Sequence, residues 1–372
     1  MAKYRFDQVA RECRTTFKGD KNGMPIVGLE HLVPNEMLVR DFEVDTENTF
    51  TKSFKQGQIL FGRRRAYQQK AGVAQFDGIC SGDITVIEAI PGKIEPNLLP
   101  FIVQNEQFFE HAVQGSAGSL SPRVKWEHLA SYEIELPTME KQRVLADKLW
   151  TAYRLKESYK KLLAATDEMV KSQFIEMFGE RTTTPVGYYI KDSFPGDWGK
   201  EDLDGTGVKV IRTTNFTNFG KLNLSEVVTR SIEEHKIQKK QILKYDTILE
   251  RSGGTADNPV GRVVLFEEDE QYLCNNFTQV LRFKDIDPRF AFYALFYFYQ
   301  MNKTSIRSMG SKTTGIQNLN MSKYLEIGIP NADEDEQKQF VSIAEQADKS
   351  KFELRKSTEA IDRVIKSLIN NV

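Results

Sequence analysis

The sequence contains two imperfect copies of one pattern, and this duplication limits the possible fold more than any other feature. Residues 133–137 (EIELP) match residues 326–330 (EIGIP), and each run precedes a long charged segment without internal proline or glycine. Within those segments Gln142 falls on Gln337, and Lys156 falls on Lys351. Self-similarity at a nearly fixed offset is the mark of repeated structural units. Two equivalent modules are therefore predicted.

The upstream parts of the two copies also correspond, although loop insertions loosen the register. The matches, in chain order, are 57–61 (GQILF) with 245–249 (YDTIL), 79–80 with 273–274, and Gly118-Ser119 with Gly310-Ser311. Short β-rich runs broken by Gly, Asn, Asp and Pro predict a globular α+β domain in each upstream part. The predicted boundaries are 1–137 for the first globular domain, 138–180 for a long central helix, 181–330 for the second globular domain and 331–372 for a C-terminal long helix.

Both charged segments show a narrow stripe of apolar and small residues at steps of three and four, which is the spacing of a coiled-coil seam. The seam runs from Leu145 to Met177 in the first segment and from Phe340 to Leu368 in the second. Each seam admits a lysine at the equivalent place. A helix of 40 residues is about 60 Å long, and two such helices most simply bury their stripes against each other. The alternative is that each helix packs on its own globular domain.

Composition excludes several classes of protein. Among 372 residues, 51 Lys and Arg balance 52 Asp and Glu, so a polycation that holds nucleic acid by bulk charge is excluded. Apolar residues at 40% are enough for hydrophobic cores. The most apolar stretch, Phe290 to Tyr299, is about half the length of a membrane span. The start of the chain lacks the apolar run of a secretory signal, which predicts a cytoplasmic protein.

Motifs for catalysis and metal binding are missing. Residues 252–262 are rich in glycine but lack the spacing and the lysine of a phosphate-binding loop. The three cysteines and four histidines are scattered, whereas a zinc site needs closely spaced ligand pairs. The sequence therefore predicts a noncatalytic chain that holds neither a metal nor a cofactor.

Two polar clusters in the first half are candidates for contact with nucleic acid. Residues 63–70 (RRRAYQQK) combine cationic side chains, which bind phosphate or guanine, with glutamines, which hydrogen-bond adenine. A solvated loop is the alternative interpretation. Residues 116–125 (SAGSLSPRVK) offer small hydroxyl residues and N–H groups that approach phosphates closely. The candidate residues are Arg63, Arg64, Arg65, Tyr67, Gln68, Gln69, Lys70, Ser119, Ser121, Arg123 and Lys125.

Three stretches of the second half are interpreted as the equivalents of these clusters. They are residues 212–218 (RTTNFTN), 251–255 (RSGGT) and 310–317 (GSKTTGIQ). Where the two copies match, the residues are mostly apolar, and where they diverge, the residues are mostly polar. This pattern predicts two readers of different targets on one scaffold. The candidate residues are Arg212, Thr213, Thr214, Asn215, Arg251, Thr255, Ser311, Lys312, Thr313, Thr314 and Gln317.

With these features in place, the layout resembles the specificity subunit of a type I restriction-modification system over almost the whole chain. The resemblance is carried by the two Gly-Ser pairs, the Ile-x-x-Pro runs ending at Pro137 and Pro330, and the helix starts at 140–142 and 336–337. It implies two target-recognition domains separated by two long antiparallel helices that form a coiled coil, with a pseudo-two-fold internal repeat. Each domain would recognise one half of a bipartite DNA site.

The resemblance also implies the partners of the chain. They are double-stranded DNA, two modification subunits that bind S-adenosylmethionine and methylate adenine, and two restriction or motor subunits that use ATP and Mg. In that case the chain itself is not an enzyme. Two alternatives stay open at this point: a noncatalytic protein-interaction scaffold with two binding domains on a coiled-coil spacer, and a self-sufficient methyltransferase.

Overall fold

The computed structural model describes residues 2–255, 257–313 and 316–370, with the backbone alone at 312 and 313. The chain divides into two compact units. One unit comprises Met1–Leu162 with Glu353–Val372, and the other comprises Leu163–Phe352. Both boundaries fall inside long helices, so each unit consists of one globular part and one portion of each long helix.

The first unit mixes short strands and helices. Its strands are β1 (Ala2–Arg5), β2 (Ala10–Cys13), β3 (Ile26–Val27), β4 (Leu38–Val39), β5 (Lys52–Phe54), β6 (Ile59–Gly62), β7 (Ala71–Ala74), β8 (Gly78–Cys80), β9 (Ile84–Ala89), β10 (Ser116–Ala117), β11 (Arg123–Val124) and β12 (Glu133–Leu136). Its helices are α1 (Phe6–Val9), α2 (Leu99–Val103), α3 (Glu106–Gln114), α4 (Trp126–Ala130) and the first part of α5 (Met139–Phe178). Single 3-10 turns occur at Leu29–His31 and Ala66–Gln68.

The second unit has the same kinds of element. Its strands are β13 (Thr183–Pro185), β14 (Ile190–Pro195), β15 (Lys200–Glu201), β16 (Val208–Ile211), β17 (Val228–Ser231), β18 (Thr247–Glu250), β19 (Ser252–Gly253), β20 (Val263–Leu265), β21 (Tyr272–Cys274), β22 (Thr278–Phe283), β23 (Gly310–Thr313), β24 (Ile316–Leu319) and β25 (Gly328–Pro330). Its helices are α6 (Glu234–Lys240), α7 (Pro288–Met301), α8 (Lys303–Ser308), α9 (Met321–Leu325) and the first part of α10 (Glu334–Ile369), with 3-10 turns at Val186–Tyr189 and Thr213–Asn215.

Strand order confirms the internal duplication and the α+β class. The central antiparallel run β2-β9-β6-β7 in the first unit reappears as β14-β22-β18-β20 in the second. The parallel pair β3/β8 corresponds to β16/β21, and the pair β1/β12 corresponds to β13/β25. Gly57 and Tyr245 both have positive φ, at 87° and 70°, in the turn that opens β6 and β18. The predicted match of 57–61 with 245–249 is therefore correct down to the turn.

The predicted match of the two Ile-x-x-Pro runs is wrong by two residues. The Phe6 N–H donates to the Tyr132 carbonyl, and the Val186 N–H donates to the Ile327 carbonyl. This pairing places Tyr132 opposite Ile327 in the repeat, so Pro137 corresponds to Ala332 rather than to Pro330. The offset is then 195 residues from this strand into the long helix. The shared Glu, Ile and Pro residues of the two runs suggested an alignment that is two residues out of register, and the backbone hydrogen bonds give the correct one.

The long helices bury the predicted stripe, and α5 buries a second one. The positions of the predicted seam, from Leu145 to Met177 and from Phe340 to Leu368, are all buried or half-buried. A second stripe of α5, represented by Ala146 and Tyr153, packs into the core of the first globular part. The interpretation that a long helix packs on its own globular domain therefore applies to α5. Heptad spacing predicted the first stripe, but it carries no information about which other face meets the adjacent domain.

The second unit is built around an aromatic core. Rings of Phe174 and Phe178 on α5 meet Phe290 on α7 and Phe340 on α10, with Phe174 and Phe340 centroids 5.2 Å apart. Helix α7 contains the most apolar stretch of the sequence, and most of its residues are buried. In the described ranges, no helix combines the length and the apolar character that crossing a membrane requires.

Candidate nucleic-acid interface

The two polar clusters of the first half meet at one place, which we call cluster 1: residues 63–70, 81–83 and 116–125. The Arg63 N–H donates to the Asp83 carbonyl at 2.9 Å, and the Arg63 carbonyl accepts from the Val124 N–H at 2.9 Å. The Arg65 N–H donates to the Pro122 carbonyl at 2.8 Å. Backbone hydrogen bonds thus join the loop after β6 to the β10–β11 hairpin.

Asp83 links two of the predicted arginines. Its carboxylate accepts from Arg123 Nε at 2.6 Å and from Arg123 Nη2 at 3.3 Å, and Arg64 Nη1 lies 3.4 Å from Oδ2. Arg64 Nε also donates to the Ser121 hydroxyl. The hydrogen bond from Arg123 lowers the pKa of Asp83, against the opposing effect of partial burial, so this carboxylate is charged at neutral pH. Sequence reasoning missed Asp83, because an acidic residue is not expected beside phosphate-binding groups.

The other candidates of cluster 1 differ in accessibility. Tyr67 is 57% exposed, and Arg65, Ser119, Arg123 and Lys125 are also exposed. Lys70 is held in place, since its ammonium donates to the Leu29 carbonyl at 2.7 Å. Gln68 and Gln69 are half-buried. Arg65 and Gln69 adopt left-handed backbone conformations, with φ of 55° and 52°, on either side of the 3-10 turn. Non-glycine residues in this conformation often mark functional loops.

The three polar stretches of the second half also converge, and we call this place cluster 2: residues 212–215, 251–255, 275–277, 310–313 and 316–319. The Arg251 N–H donates to the Phe277 carbonyl, and the Arg251 carbonyl accepts from the Leu319 N–H, both at 2.8 Å. The Asn275 N–H donates to the Ile211 carbonyl, immediately before Arg212. The structure therefore brings all three stretches together, as far as their residues are described.

Arg63 and Arg251 occupy equivalent places in the two clusters. Each follows a central strand, and each is fixed at its N–H by the loop before the next strand and at its carbonyl by the hairpin. The side-chain surroundings differ. Arg251 Nη1 donates to Gln279 Oε1 at 3.3 Å, whereas Arg63 Nε is buried without a hydrogen-bond partner among the described residues. One scaffold thus presents two arginines in different chemical settings.

The prediction that Asn215 contacts DNA needs a correction. It is 4% exposed, and its side chain accepts from the Arg212 N–H and donates to the carbonyls of Asn223 and Glu226. A side chain committed to backbone groups in this way stabilises a turn and offers no free group to DNA. The stretch was also assigned to the wrong counterpart. His31 Nδ1 accepts from the Gly28 N–H in the same manner, so residues 212–215 correspond to residues 28–31.

The predicted match between the two Gly-Ser pairs is also wrong by two residues. Ser116 pairs with Val124 across the first hairpin, while Gly310 pairs with Leu319 across the second. Because Val124 and Leu319 precede the equivalent helices α4 and α9, Gly310 corresponds to Ser116. Ser311 is exposed, Lys312 and Thr313 lie in β23, and Thr314 lies outside the described residues.

Several buried polar atoms in the clusters have no partner in the described protein. They include Arg63 Nε in cluster 1, and Arg212 Nε, Gln317 Oε1 and Asn275 Oδ1 in cluster 2. Buried polar groups are nearly always paired, so such atoms indicate groups that a water or a ligand satisfies. Asn275 was not among the candidates predicted from the sequence. It directly follows residues 273–274, which match residues 79–80 in the first copy, and this position next to a repeated strand could have indicated it. Thr213 and Thr255, by contrast, have backbone groups in the loop hydrogen bonds, and Thr214 is exposed.

Two copies of one α+β module, each with an arginine-centred loop cluster, define a tandem recognition protein, and comparison with known proteins identifies its family. The chain belongs to the family described as type I restriction modification DNA specificity domain, whose model matches residues 9–165 and again 193–362. Each match covers most of one repeat. The resemblance drawn from the sequence is confirmed.

Individual relatives agree with this assignment. The chain is 24% identical over 191 residues to the Type I restriction enzyme EcoDI specificity subunit of Escherichia coli, a match covering 48% of this chain and 41% of that protein. The chain thus spans less than half the length of this curated relative. A solved chain from work on complex assembly and conformational transition of the type I R-M system is similar with a TM-score of 0.57, 14% identity and coverage of 99% and 96%. The type I restriction-modification S subunit of M. genitalium gives a TM-score of 0.57, 13% identity and coverage of 99% and 94%. These likenesses concern the fold.

Proposed function

We propose that this chain is the DNA-reading, noncatalytic specificity subunit of a type I restriction-modification system. Residues 1–137 and 181–330 are the two target-recognition domains, and each reads one half of a bipartite, asymmetric site. Residues 138–180 and 331–372 are the helices that connect them. The protein acts on DNA in the cytoplasm and directs adenine methylation by partner subunits.

The observation that carries this proposal is the equivalence of clusters 1 and 2. Arg63 and Arg251 are fixed by the same backbone hydrogen bonds, while the side chains around them differ. Arginine binds guanine or phosphate, and the polar residues that surround it decide which base edge is accepted. Two readers on one scaffold, with different side chains, are what a bipartite and asymmetric site requires.

We further propose that α5 and α10 form an antiparallel coiled coil that sets the spacer between the two half-sites. Within the second unit, Asp167 contacts Lys351 and Phe178 contacts Phe340, so rising numbers on α5 meet falling numbers on α10. Each helix residue adds about 1.5 Å, and each base pair adds about 3.4 Å along the DNA. Four residues added to both helices are thus expected to lengthen the spacer by about two base pairs.

The partners follow from the proposed role. Two modification subunits bind S-adenosylmethionine and methylate adenine, and two restriction or motor subunits that use ATP and Mg complete the assembly where restriction occurs. The charge balance of this chain, 51 basic against 52 acidic residues, fits a subunit that supplies discrimination while neighbouring subunits supply much of the phosphate contact.

Genome-wide mapping of methylated adenine tests the proposal. Cells would carry this chain and its modification subunit, with residues 1–137 or, as the matched exchange, residues 181–330 replaced from a relative. Each exchange is expected to change one half of the methylated motif and to leave the other half intact. A single continuous motif, or an exchange that alters both halves, would contradict the proposal. Methylation independent of this chain would favour a protein-interaction scaffold.

A further inference from the structure

Asp83 places a negative charge inside the surface proposed to meet DNA. Its side chain is 19% exposed, and it contacts the guanidinium groups of Arg64 and Arg123. Those two side chains are 38% and 46% exposed, so both still face solvent in part. A carboxylate repels DNA phosphate, and its presence beside two arginines therefore calls for a specific role.

The second unit shows that the scaffold does not need this acid. The backbone carbonyl of Asp83 accepts from Arg63, and the equivalent carbonyl that accepts from Arg251 belongs to Phe277. Residues 64 and 123 face each other across the strand ends, as residues 252 and 318 do in the other copy. There the side chains are neutral, and the Ser252 hydroxyl donates to Asn318 Oδ1 at 2.7 Å. A charged group of three residues thus stands where the second copy has an uncharged pair.

This inference rests on the proposed function. We propose that Asp83 is a specificity-determining residue of the first reader, which restrains Arg64 and Arg123 so that they engage DNA only when the correct bases are present. The residue is a positioning residue, since it acts through the arginines.

Two physical effects support this role. A bidentate contact with a carboxylate fixes the Arg123 guanidinium in one orientation, so the loss of side-chain freedom is not incurred again on binding. The shared carboxylate also cancels one of the two positive charges. Nonspecific affinity for DNA grows with the number of phosphates that cationic groups neutralise, whereas base recognition depends on orientation. Asp83 therefore weakens nonspecific binding more than specific binding.

The test compares the full chain carrying Asp83→Asn with the wild type, alone and with the modification subunit. Binding is measured against duplexes with and without the mapped site over a range of salt concentrations. The variant is expected to bind nonspecific DNA more tightly, with a salt slope steeper by about 0.9, and to lose about tenfold in the ratio of specific to nonspecific affinity. Asp77→Asn is the matched control, because Asp77 pairs with Lys55 on an exposed surface and the same charge is removed.

Four outcomes decide the matter. Identical behaviour of Asp83→Asn and Asp77→Asn overturns the inference, because a general charge effect would then explain both. Equal loss of both affinities with a lowered melting temperature also overturns it, as expected for a purely structural residue. Arg123→Gln removes the bidentate partner, and we expect a loss of specific affinity with little change in the nonspecific salt slope; an unchanged specific affinity would contradict the inference. A wild type without sequence preference refutes the proposed function, while the salt slopes still show whether Asp83 restrains the arginines.

Discussion

Lys156 and Lys351 make equivalent ion pairs with the opposite long helix. Lys156 Nζ lies 2.5 Å from Asp362 Oδ1, and Lys351 Nζ lies 2.6 Å from Asp167 Oδ1. The two lysines are 195 residues apart, and so are the two aspartates. Each pair belongs to one unit, so the internal repeat supplies both partners of each contact. The seam lysines of the sequence analysis therefore have carboxylates as their partners.

Loss of Lys351 is expected to destabilise the protein more than loss of Lys156. The Lys351 and Asp167 side chains are 11% and 37% exposed, and the Lys156 and Asp362 side chains are 18% and 49% exposed. Lys351 also contacts Asp348 at 2.9 Å. Breaking a buried pair leaves an uncompensated charge, so Lys351→Met should cost about 2 kcal/mol, against at most about 1 kcal/mol for Lys156→Met. Urea unfolding of the two variants checks this order. Equal or reversed losses would show that burial does not govern these pairs.

Acid should destabilise the second unit through Asp348. Burial alone would raise the pKa of Asp348, but Lys221 and Lys351 more than offset this effect and hold it below its usual value. A carboxyl group with a depressed folded-state pKa contributes stability above its unfolded pKa of about 3.9 and loses it as the pH falls further. Asp348→Asn should therefore flatten the acid side of the curve of unfolding free energy against pH. Lys221→Met removes one of the two cations that lower the folded-state pKa of Asp348, so it should also shrink the acid loss, because the folded pKa moves towards the unfolded one. A curve unchanged in both variants would refute the assignment.

Periodic features were the parts of the fold that the sequence could predict. The long helices, the seam and its lysines recur at steps that only a helix satisfies, and the duplication recurs at a nearly constant offset. Such periodic signals can be recognised because several residues at regular spacing indicate the same structure, so a single substitution does not hide it. The second buried stripe, with Ala146 and Tyr153, could not be predicted, since it depends on which domain surface the helix meets.

Errors in the candidate site came from matching residue identities rather than hydrogen bonds. Gly118 and Gly310 look equivalent but sit two positions apart in their hairpins. Asn215 is a residue type that often contacts bases, yet its side-chain amide is hydrogen-bonded to the backbone of Arg212 and Asn223. Asp83 was missed because its role depends on Arg64 and Arg123, which only the fold brings to it. In loops, unlike in helices and strands, side chains do not alternate direction at a regular spacing, so the sequence alone does not show which of them face each other.

Gln142 and Gln337 should be equivalent local stabilisers. Gln142 accepts from the Glu95 N–H at 2.9 Å and donates to the Pro137 carbonyl, while Gln337 accepts from the Asp287 N–H at 2.9 Å and donates to the Ala332 carbonyl. Replacement by alanine leaves a sheltered N–H unpaired, which costs about 1–3 kcal/mol. Hydrogen exchange should accelerate at Glu95 in Gln142→Ala and at Asp287 in Gln337→Ala, each without effect on the other. Acceleration at both amides in one variant would contradict this expectation.

Thiol labelling should report the opening of each unit separately. Burial raises the pKa of Cys80 to about 12 and that of Cys274 to about 11, and both residues are almost fully buried. A thiolate is the reactive form, so neither cysteine should react with iodoacetamide at pH 8 until its unit opens. Mass spectrometry after labelling in increasing urea should therefore give an opening profile for each unit. Cys80→Ser and Cys274→Ser identify the labelled peptides, and rapid labelling in native buffer would refute the assignment.

The equivalence of Arg63 and Arg251 predicts two separable losses of sequence recognition. Both arginines are fixed by backbone bonds at their N–H and carbonyl, so alanine at either place should leave the fold intact. A lost arginine contact to a base costs about 1–3 kcal/mol of discrimination, and it should relax only the half-site that its own domain reads. Arg63→Ala and Arg251→Ala are therefore expected to degrade different halves of the methylated motif. Lys55→Ala, which removes a cation from an exposed surface pair, serves as the control and should leave both halves unchanged. Relaxation of the same half by both variants would mean that the two clusters do not act as independent readers.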